Sequence, residues 1–237
     1  IYIQNNLYDL QLSFNTFSRI TTSSDSETFS GGFATFMPSS AAATATKTIT
    51  LTYDNCNFYD IENLHSNKPY YQGGAIQCGF SAEMVNLDLT ITNCVFKRNQ
   101  AFKHGGALAI QIQGRVTIRN CTFEENRANC NQNQAKILLY EDNTDKKEEG
   151  RGGAIYINPT FVVDDNDKFL QMLTIENCTF KRNMAFDGFA IYIEGENSES
   201  TIYTITNNVF IDNFNGQNIE SNGAVFASEV ILITEEQ

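Results

Sequence analysis

The sequence predicts an all-β chain, wound as a single-stranded, right-handed parallel β-helix of about six to eight coils. Three observations lead there. Two short phrases alternate strictly along the chain. The in/out alternation of side chains breaks at the same asparagine in each copy of the first phrase. No stretch carries a confident long-helix pattern.

The first phrase reads "LTYDNCNF" (51–58), "LTITNCVF" (89–96), "VTIRNCTF" (116–123), "LTIENCTF" (173–180) and "YTITNNVF" (203–210), with a degraded form "LQLSFNTF" (10–17). The second reads "GGFATF" (31–36), "GGAIQC" (73–78), "GGALAI" (105–110), "GGAIYI" (152–157), "GFAIYI" (188–193) and "NGAVFA" (222–227). Internal repeats of this length point to a solenoid or propeller.

Side-chain parity separates the two. In "VTIRNCTF", Val116 and Ile118 share one face of a strand. Unbroken period two puts Asn120 with them and sends Cys121 and Phe123 to the polar side. A bend at Asn120 removes the conflict, and asparagine tolerates the left-handed conformation a corner needs. The same bend fits Asn55, Asn93, Asn177 and Asn207. A corner repeated between short strands describes a parallel β-helix, with coils stacked at about 4.8 Å.

Columns follow from stacking. Asn55, Asn93, Asn120, Asn177 and Asn207 are expected to form an amide ladder. Cys56, Cys94, Cys121 and Cys178 form a second column, and Phe58, Phe96, Phe123, Phe180 and Phe210 a third. Ile76, Leu108, Ile155, Ile191 and Val225 form a fourth, beside Ala75, Ala107, Ala154, Ala190 and Ala224. The glycine pairs permit a tight turn and close backbone approach.

Coil length varies: 27 residues from Asn93 to Asn120, but 57 from Asn120 to Asn177. One domain is therefore expected over 1–237, with side loops at about 18–30, 37–48, 127–150 and 158–169.

The chain has 237 residues, 41% hydrophobic, enough for a sizeable core. Its net charge of −12 repels nucleic acid and anionic membranes. No run of eighteen apolar residues occurs, so no membrane insertion is expected. The start at Ile1 is read as a processed chain or a piece of a longer one.

Phe-x-x-Asn occurs at Phe96/Asn99, Phe123/Asn126, Phe180/Asn183 and Phe210/Asn213. Its alternation with Gly-Gly-Ala-Ile resembles the repeats of chlamydial polymorphic membrane proteins and related surface adhesins. More broadly it is similar to the pectin-lyase-like right-handed β-helix superfamily. The resemblance covers most of residues 50–227, and the first coil departs from it, with Phe14 for the corner Asn and Asn15 for the Cys. It implies a secreted or surface-displayed stalk or adhesive passenger.

Each candidate site has a plainer reading beside it. The cysteine column is expected to hold free, packed thiols, since in-register parallel strands aim side chains the same way; disulfides stay open, with Cys130 in a loop. Asn120-Cys-Thr122 and Asn177-Cys-Thr179 match the glycosylation sequon, though a place in the ladder leaves little room for a glycan. Asp164, Asp165 and Asp167 are weak metal candidates in what reads as a solvated acidic loop. No metal or other cofactor is expected.

Catalysis on polysaccharides needs paired carboxylates, or Ca²⁺ with a base, on outward strand positions. Those positions carry mostly threonine, with Asp54, Arg119 and Glu176 not recurring as a cluster, and His104 has no evident acidic partner. No catalytic residue is assigned. Tyr156, Tyr192 and Phe226 occupy outward positions and read first as aromatics that favour strands, with an exposed strip binding sugars or another protein as the alternative.

A β-helix exposes unpaired backbone at both ends, and such edges template association. Ile1 and Ile3 at one end, and Val230, Ile231, Leu232 and Ile233 at the other, read as strand without an amphipathic capping helix. The expected function is a non-enzymatic extracellular structural protein, a homo-oligomer stacked head to tail into a surface filament. The alternatives are an adhesin binding glycans or cell-surface proteins through its side loops, and a polysaccharide lyase or hydrolase.

Overall fold

The computed structural model describes residues 2–4, 10–22, 34–37, 49–63, 73–78, 87–112, 114–128, 130–131, 134–137, 150–159, 171–194, 201–215 and 226–228. Among these, strands build three parallel sheets wrapped around one core. Face 1 stacks Leu10–Ser13, Ile49–Asp54, Leu87–Thr92, Gly114–Arg119, Gln171–Glu176 and Thr201–Thr206. Face 2 stacks Thr16–Thr22, Asn57–Asn63 and then paired short strands beginning at Val95, Thr122, Thr179 and Val209. Face 3 stacks Tyr2–Gln4, Ala34–Met37, Ile76–Cys78, Leu108–Ile112, Ile155–Pro159, Ile191–Ile193 and Phe226–Ser228.

The register follows the repeat. Val116 pairs with Leu89 on one side and Leu173 on the other, and Phe123 with Phe96 and Phe180. In Leu87–Thr92 burial alternates, with Leu87, Leu89 and Ile91 inside and Asp88, Thr90 and Thr92 half-buried outside. That period of two is what one solvated face of a sheet demands.

The first corner lies where parity broke. Asn55, Asn93, Asn120, Asn177 and Asn207 all have φ between 50° and 56°, as has Phe14 in the first coil. Five residues later a second corner appears, at Arg19, Asp60, Arg98, Glu125, Arg182 and Asp212, with φ from 50° to 58°. Most of these residues do not favour the left-handed region, at a typical cost of about 1–2 kcal/mol each. From Arg98 onward, the residue after each corner is an inward asparagine, and its hydrogen bonds offset that cost.

The asparagine ladder lies at this second corner, not at the first, which corrects the expectation. The first-corner asparagines from Asn93 to Asn207 are exposed and share one amide contact, Asn120 Nδ2 to Asn93 Oδ1 at 3.4 Å. The continuous ladder is Asn99, Asn126, Asn183 and Asn213, the asparagines of Phe-x-x-Asn. Each Nδ2 donates back to the Phe carbonyl of the previous coil at 2.9–3.0 Å. Each Oδ1 accepts the backbone N–H of the coil before, from Ile61, Asn99, Asn126 and Asn183. Asn99, Asn126 and Asn183 are fully buried and paired on both the amide nitrogen and the oxygen, as buried amides require.

The third corner uses glycine. Gly73, Gly105, Gly152 and Gly188 have positive φ. The second glycine of the pair answers to crowding: a Cβ on Gly106 would lie 2.1 Å from the Gly153 carbonyl oxygen and 2.5 Å from the Arg127 nitrogen.

Some loop boundaries shift. Residues 18–22 belong to the strand Thr16–Thr22, Met37 ends a face-3 strand, and Asn158–Pro159 end another. Arg127–Ala128 is a face-2 strand, and Cys130–Asn131 pairs antiparallel with Gln134–Ile137. The remainder of those four loops falls outside the described residues, except Gly150. Face 3 also slips in its register: Ile191 pairs with Phe226, not Val225, and Tyr192 with Ala227.

Candidate functional site

The core columns run from one end coil to the other. Phenylalanine rings stack from Phe17 through Phe58, Phe96, Phe123 and Phe180 to Phe210, with centroids 4.7–5.2 Å apart. Offset stacking of this kind adds about 0.5–1.5 kcal/mol per pair beyond burial. Phe17 belongs to the column and was missed because the first phrase is degraded there. Phe58 to Phe180 are wholly buried, whereas Phe210 is 37% exposed.

Beside it, Cys56, Cys94, Cys121 and Cys178 are buried free thiols, as is Cys78. Each of the four Sγ atoms donates to the carbonyl two residues earlier, at 3.1–3.4 Å. Asparagine brackets this column. Cys178 N–H donates to Asn208 Oδ1 at 2.9 Å, and Asn15 holds the equivalent place in the first coil, its Nδ2 donating to the Ser13 carbonyl at 2.8 Å. Burial pushes the Cys78 thiol up to about 12. The side chain of Cys130 lies outside the described residues.

The second corner carries a charge pattern. In coil order its residues are Arg19, Asp60, Arg98, Glu125, Arg182 and Asp212, strictly alternating in sign. Arg98 grips Asp60 with Nε at 2.6 Å and Nη2 at 2.9 Å, and Arg182 Nε reaches Glu125 at 3.0 Å. The neighbouring outward position repeats the pattern with Lys97, Glu124 and Lys181; Lys97 Nζ meets Glu124 at 2.6 Å, and Arg182 also contacts Glu124. The Arg98 hydrogen bonds, then its charge and that of Arg19, hold Asp60 below the usual carboxylate range. Glu124 is lowered chiefly by Lys97.

The first and last described coils differ from those between them. In the last described coil Ile202, Val209, Phe210 and Ile211 are 37–51% exposed. In the first, Leu10, Leu12, Phe17 and Ile20 are partly buried against the core. Of the residues assigned to the chain ends, Ile3 lies in the strand Tyr2–Gln4, while Ile1, Val230, Ile231, Leu232 and Ile233 fall outside the described residues.

Outside face 3 lies a second small core. Tyr156 and Tyr192 are only 3% and 6% exposed, which rules out the alternative of an exposed aromatic strip there. His104 stacks on Tyr156 with centroids 4.6 Å apart, and the Arg151 guanidinium lies 4.8 Å over the Tyr192 ring. Arg151 Nη1 binds Glu194 at 2.9 Å, and the Tyr156 hydroxyl donates to the same carboxylate. His104 Nδ1 accepts the Arg151 backbone N–H at 3.3 Å. Burial, then the charges of Arg151 and Lys103, push His104 down to about 3, so it is neutral. Burial and Glu194 hold Tyr156 protonated. Sequence reasoning found no partner for His104 because Arg151 and Tyr156 arrive from a later coil. The usable signal was their place: His104 and Arg151 both precede a glycine pair.

Asn120 and Asn177 sit exposed at the first corner, not in the buried ladder. Asp54 hydrogen-bonds Thr92 at 2.7 Å and Asn93 at 2.9 Å, and Arg119 pairs with Glu176 at 3.0 Å. On face 1, Asp54 is thus engaged by Thr92 and Asn93, and Glu176 by Arg119. Asp164, Asp165 and Asp167 lie outside them.

Three parallel sheets, three corners per coil and unbroken internal columns define a parallel β-helical solenoid. A family model described as the right handed beta helix region matches residues 1–231, and the chain belongs to that family. No curated protein and no solved structure matches the chain.

Proposed function

We propose that this protein is a non-enzymatic structural subunit, secreted or displayed at the cell surface, that stacks end to end into a filament. The observation supporting it is the last described coil. Its Ile202, Val209, Phe210 and Ile211 stay exposed while the equivalents of Phe210 in four earlier coils are wholly buried. Apolar edges of this kind favour association, and a head-to-tail contact that does not close makes a fibre. Sedimentation velocity over a hundredfold concentration range, with negative-stain microscopy, tests it. Growth of large linear species is expected; a monomer at every concentration overturns it.

An adhesin is the second reading, favoured by the hairpin Cys130–Asn131/Gln134–Ile137, the antiparallel pair that leaves the parallel stack between Ala128 and Gly150. The likeness to surface-adhesin repeats agrees with it. Replacing 129–149 by a short Gly-Ser linker then abolishes attachment to cells or glycans and leaves assembly intact. Release of products from acidic polysaccharides, with or without Ca²⁺, would overturn both readings in favour of a lyase or hydrolase.

A further inference from the structure

We infer that Asn120 and Asn177 are acceptors for N-linked sugar, an oligosaccharide bonded to the side-chain amide at the first corner of two neighbouring coils. This rests on the secreted part of the proposed function and names a modification that stacking into filaments does not require.

The whole chain holds two Asn-x-Ser/Thr triplets in which x is not proline, Asn120-Cys121-Thr122 and Asn177-Cys178-Thr179. Both fall at the same place in the coil. A place in the buried ladder would shut a sugar out, but that ladder is built from Asn126 and Asn183 instead. Asn120 and Asn177 are exposed, with φ of 53° and 54°. The left-handed turn divides each triplet. The asparagine stands outside, the cysteine is buried in the core, and the threonine returns half-buried at the start of face 2. Attachment spares the core. The contact at stake is the 3.4 Å one from Asn120 Nδ2 to Asn93 Oδ1, and a glycosylated Nδ2 keeps one proton to donate.

The corner supplies its own controls. Asn55, Asn93 and Asn207 hold the same place with φ of 50–56°. Two residues after them stand Asn57, Val95 and Val209, with no hydroxyl. Asn93 and Asn207 are exposed like the two acceptors. What separates the two groups is therefore the threonine, not the geometry.

The surroundings leave room. Residues 114–128 and 171–194 run unbroken, so no side loop leaves either coil between face 1 and the second corner. Arg119 pairs with Glu176 and Thr122 with Thr179, which roots the two sugars about 4.8 Å apart on adjacent coils. A bulky, solubilising group there clothes the first corner.

The transfer is a substitution at carbon. Nδ2 bonds to the anomeric carbon of an oligosaccharide carried on a lipid diphosphate. The bond from that carbon to the phosphate oxygen breaks, the diphosphate leaves with the electron pair, and Nδ2 gives up one proton. A transferase of the secretory pathway holds the two substrates.

The test recovers the native protein separately from the cell exterior and from the lysate. Peptides are mapped by mass before and after amidase release in heavy-oxygen water, which converts a glycosylated asparagine to labelled aspartate. Label is expected at Asn120 and Asn177, and none at Asn55, Asn93 or Asn207. The full chain is also made in a eukaryotic secretory host. Thr122→Val and Thr179→Val copy Val95 and Val209 at the equivalent position and so spare the fold. Each is expected to lose the mass of one glycan, and Val95→Thr to gain one at Asn93. Protein outside the cell with label at neither asparagine overturns the inference and leaves the secreted reading standing. Valine variants that keep the full wild-type mass of sugar overturn it too. Protein found only inside the cell, without label, sinks both.

Discussion

Asn126 Nδ2 donates to Asn183 Oδ1 at 3.0 Å although the two residues are 57 positions apart. The same Asn126 amide reaches back to the Phe96 carbonyl, and its Oδ1 accepts from both Asn99 N and Asn99 Nδ2. One side chain thus joins three coils.

Asn126→Ala leaves the Asn99 N–H and the Phe96 carbonyl buried without these partners. The expected loss is about 3–5 kcal/mol by urea unfolding. Asn120→Gly, at an exposed corner with φ of 53°, is expected to change stability by no more than about 0.5 kcal/mol. Equal losses would return the ladder to the first corner.

Position along the stack sets the cost of losing a ring. Phe123→Ala removes a wholly buried side chain stacked on both sides, at about 3–5 kcal/mol. Phe210→Ala, measured below any assembly concentration, is expected to cost less than about 2 kcal/mol.

Gly106→Ala drives a methyl group into the backbone of the Gly153 corner and of the Arg127–Ala128 strand, with no flexible side chain to move aside. A loss above about 4 kcal/mol, or failure to fold, is expected by circular dichroism and denaturant titration.

Acid should weaken the protein in two windows. His104, facing Tyr156, Arg151 and Lys103, is neutral when folded, with a value near 3 against an ordinary 6.5. The unfolded chain therefore gains a proton first, and stability falls by about 1.4 kcal/mol per pH unit below 6.5. His104→Gln removes that slope between pH 6.5 and 5. Asp60 and Glu124 act lower down: their depressed folded values contribute stability above the usual carboxylate range, lost as pH falls through those values. Urea titrations at stepped pH check both.

The parity break at Asn120 carried the fold, because only a bend reconciles Ile118, Cys121 and Phe123 on one side. The same logic, continued three residues further, would have found the second corner: Phe123 and Asn126 face inward although period two separates them. Phe-x-x-Asn was legible as a motif but not as a ladder, since an asparagine inside a core looks improbable until its partners are known. The burial of Tyr156 and Tyr192 was not legible at all. Periodicity says which way a strand residue points, not what later chain segments cover it. The slip from Val225 to Phe226 has the same origin, since a matching phrase does not fix a register.

The corner charges also act on the chain before it is finished. Every apolar column repeats once per coil, so a strand that skips one coil still finds phenylalanine on phenylalanine. The ionic pattern repeats only every second coil. A segment displaced by one sets Lys97 on Lys181 and Arg98 on Arg182, and repulsion ejects it. In a sequence of near-identical turns, electrostatics supplies the proofreading that hydrophobicity cannot.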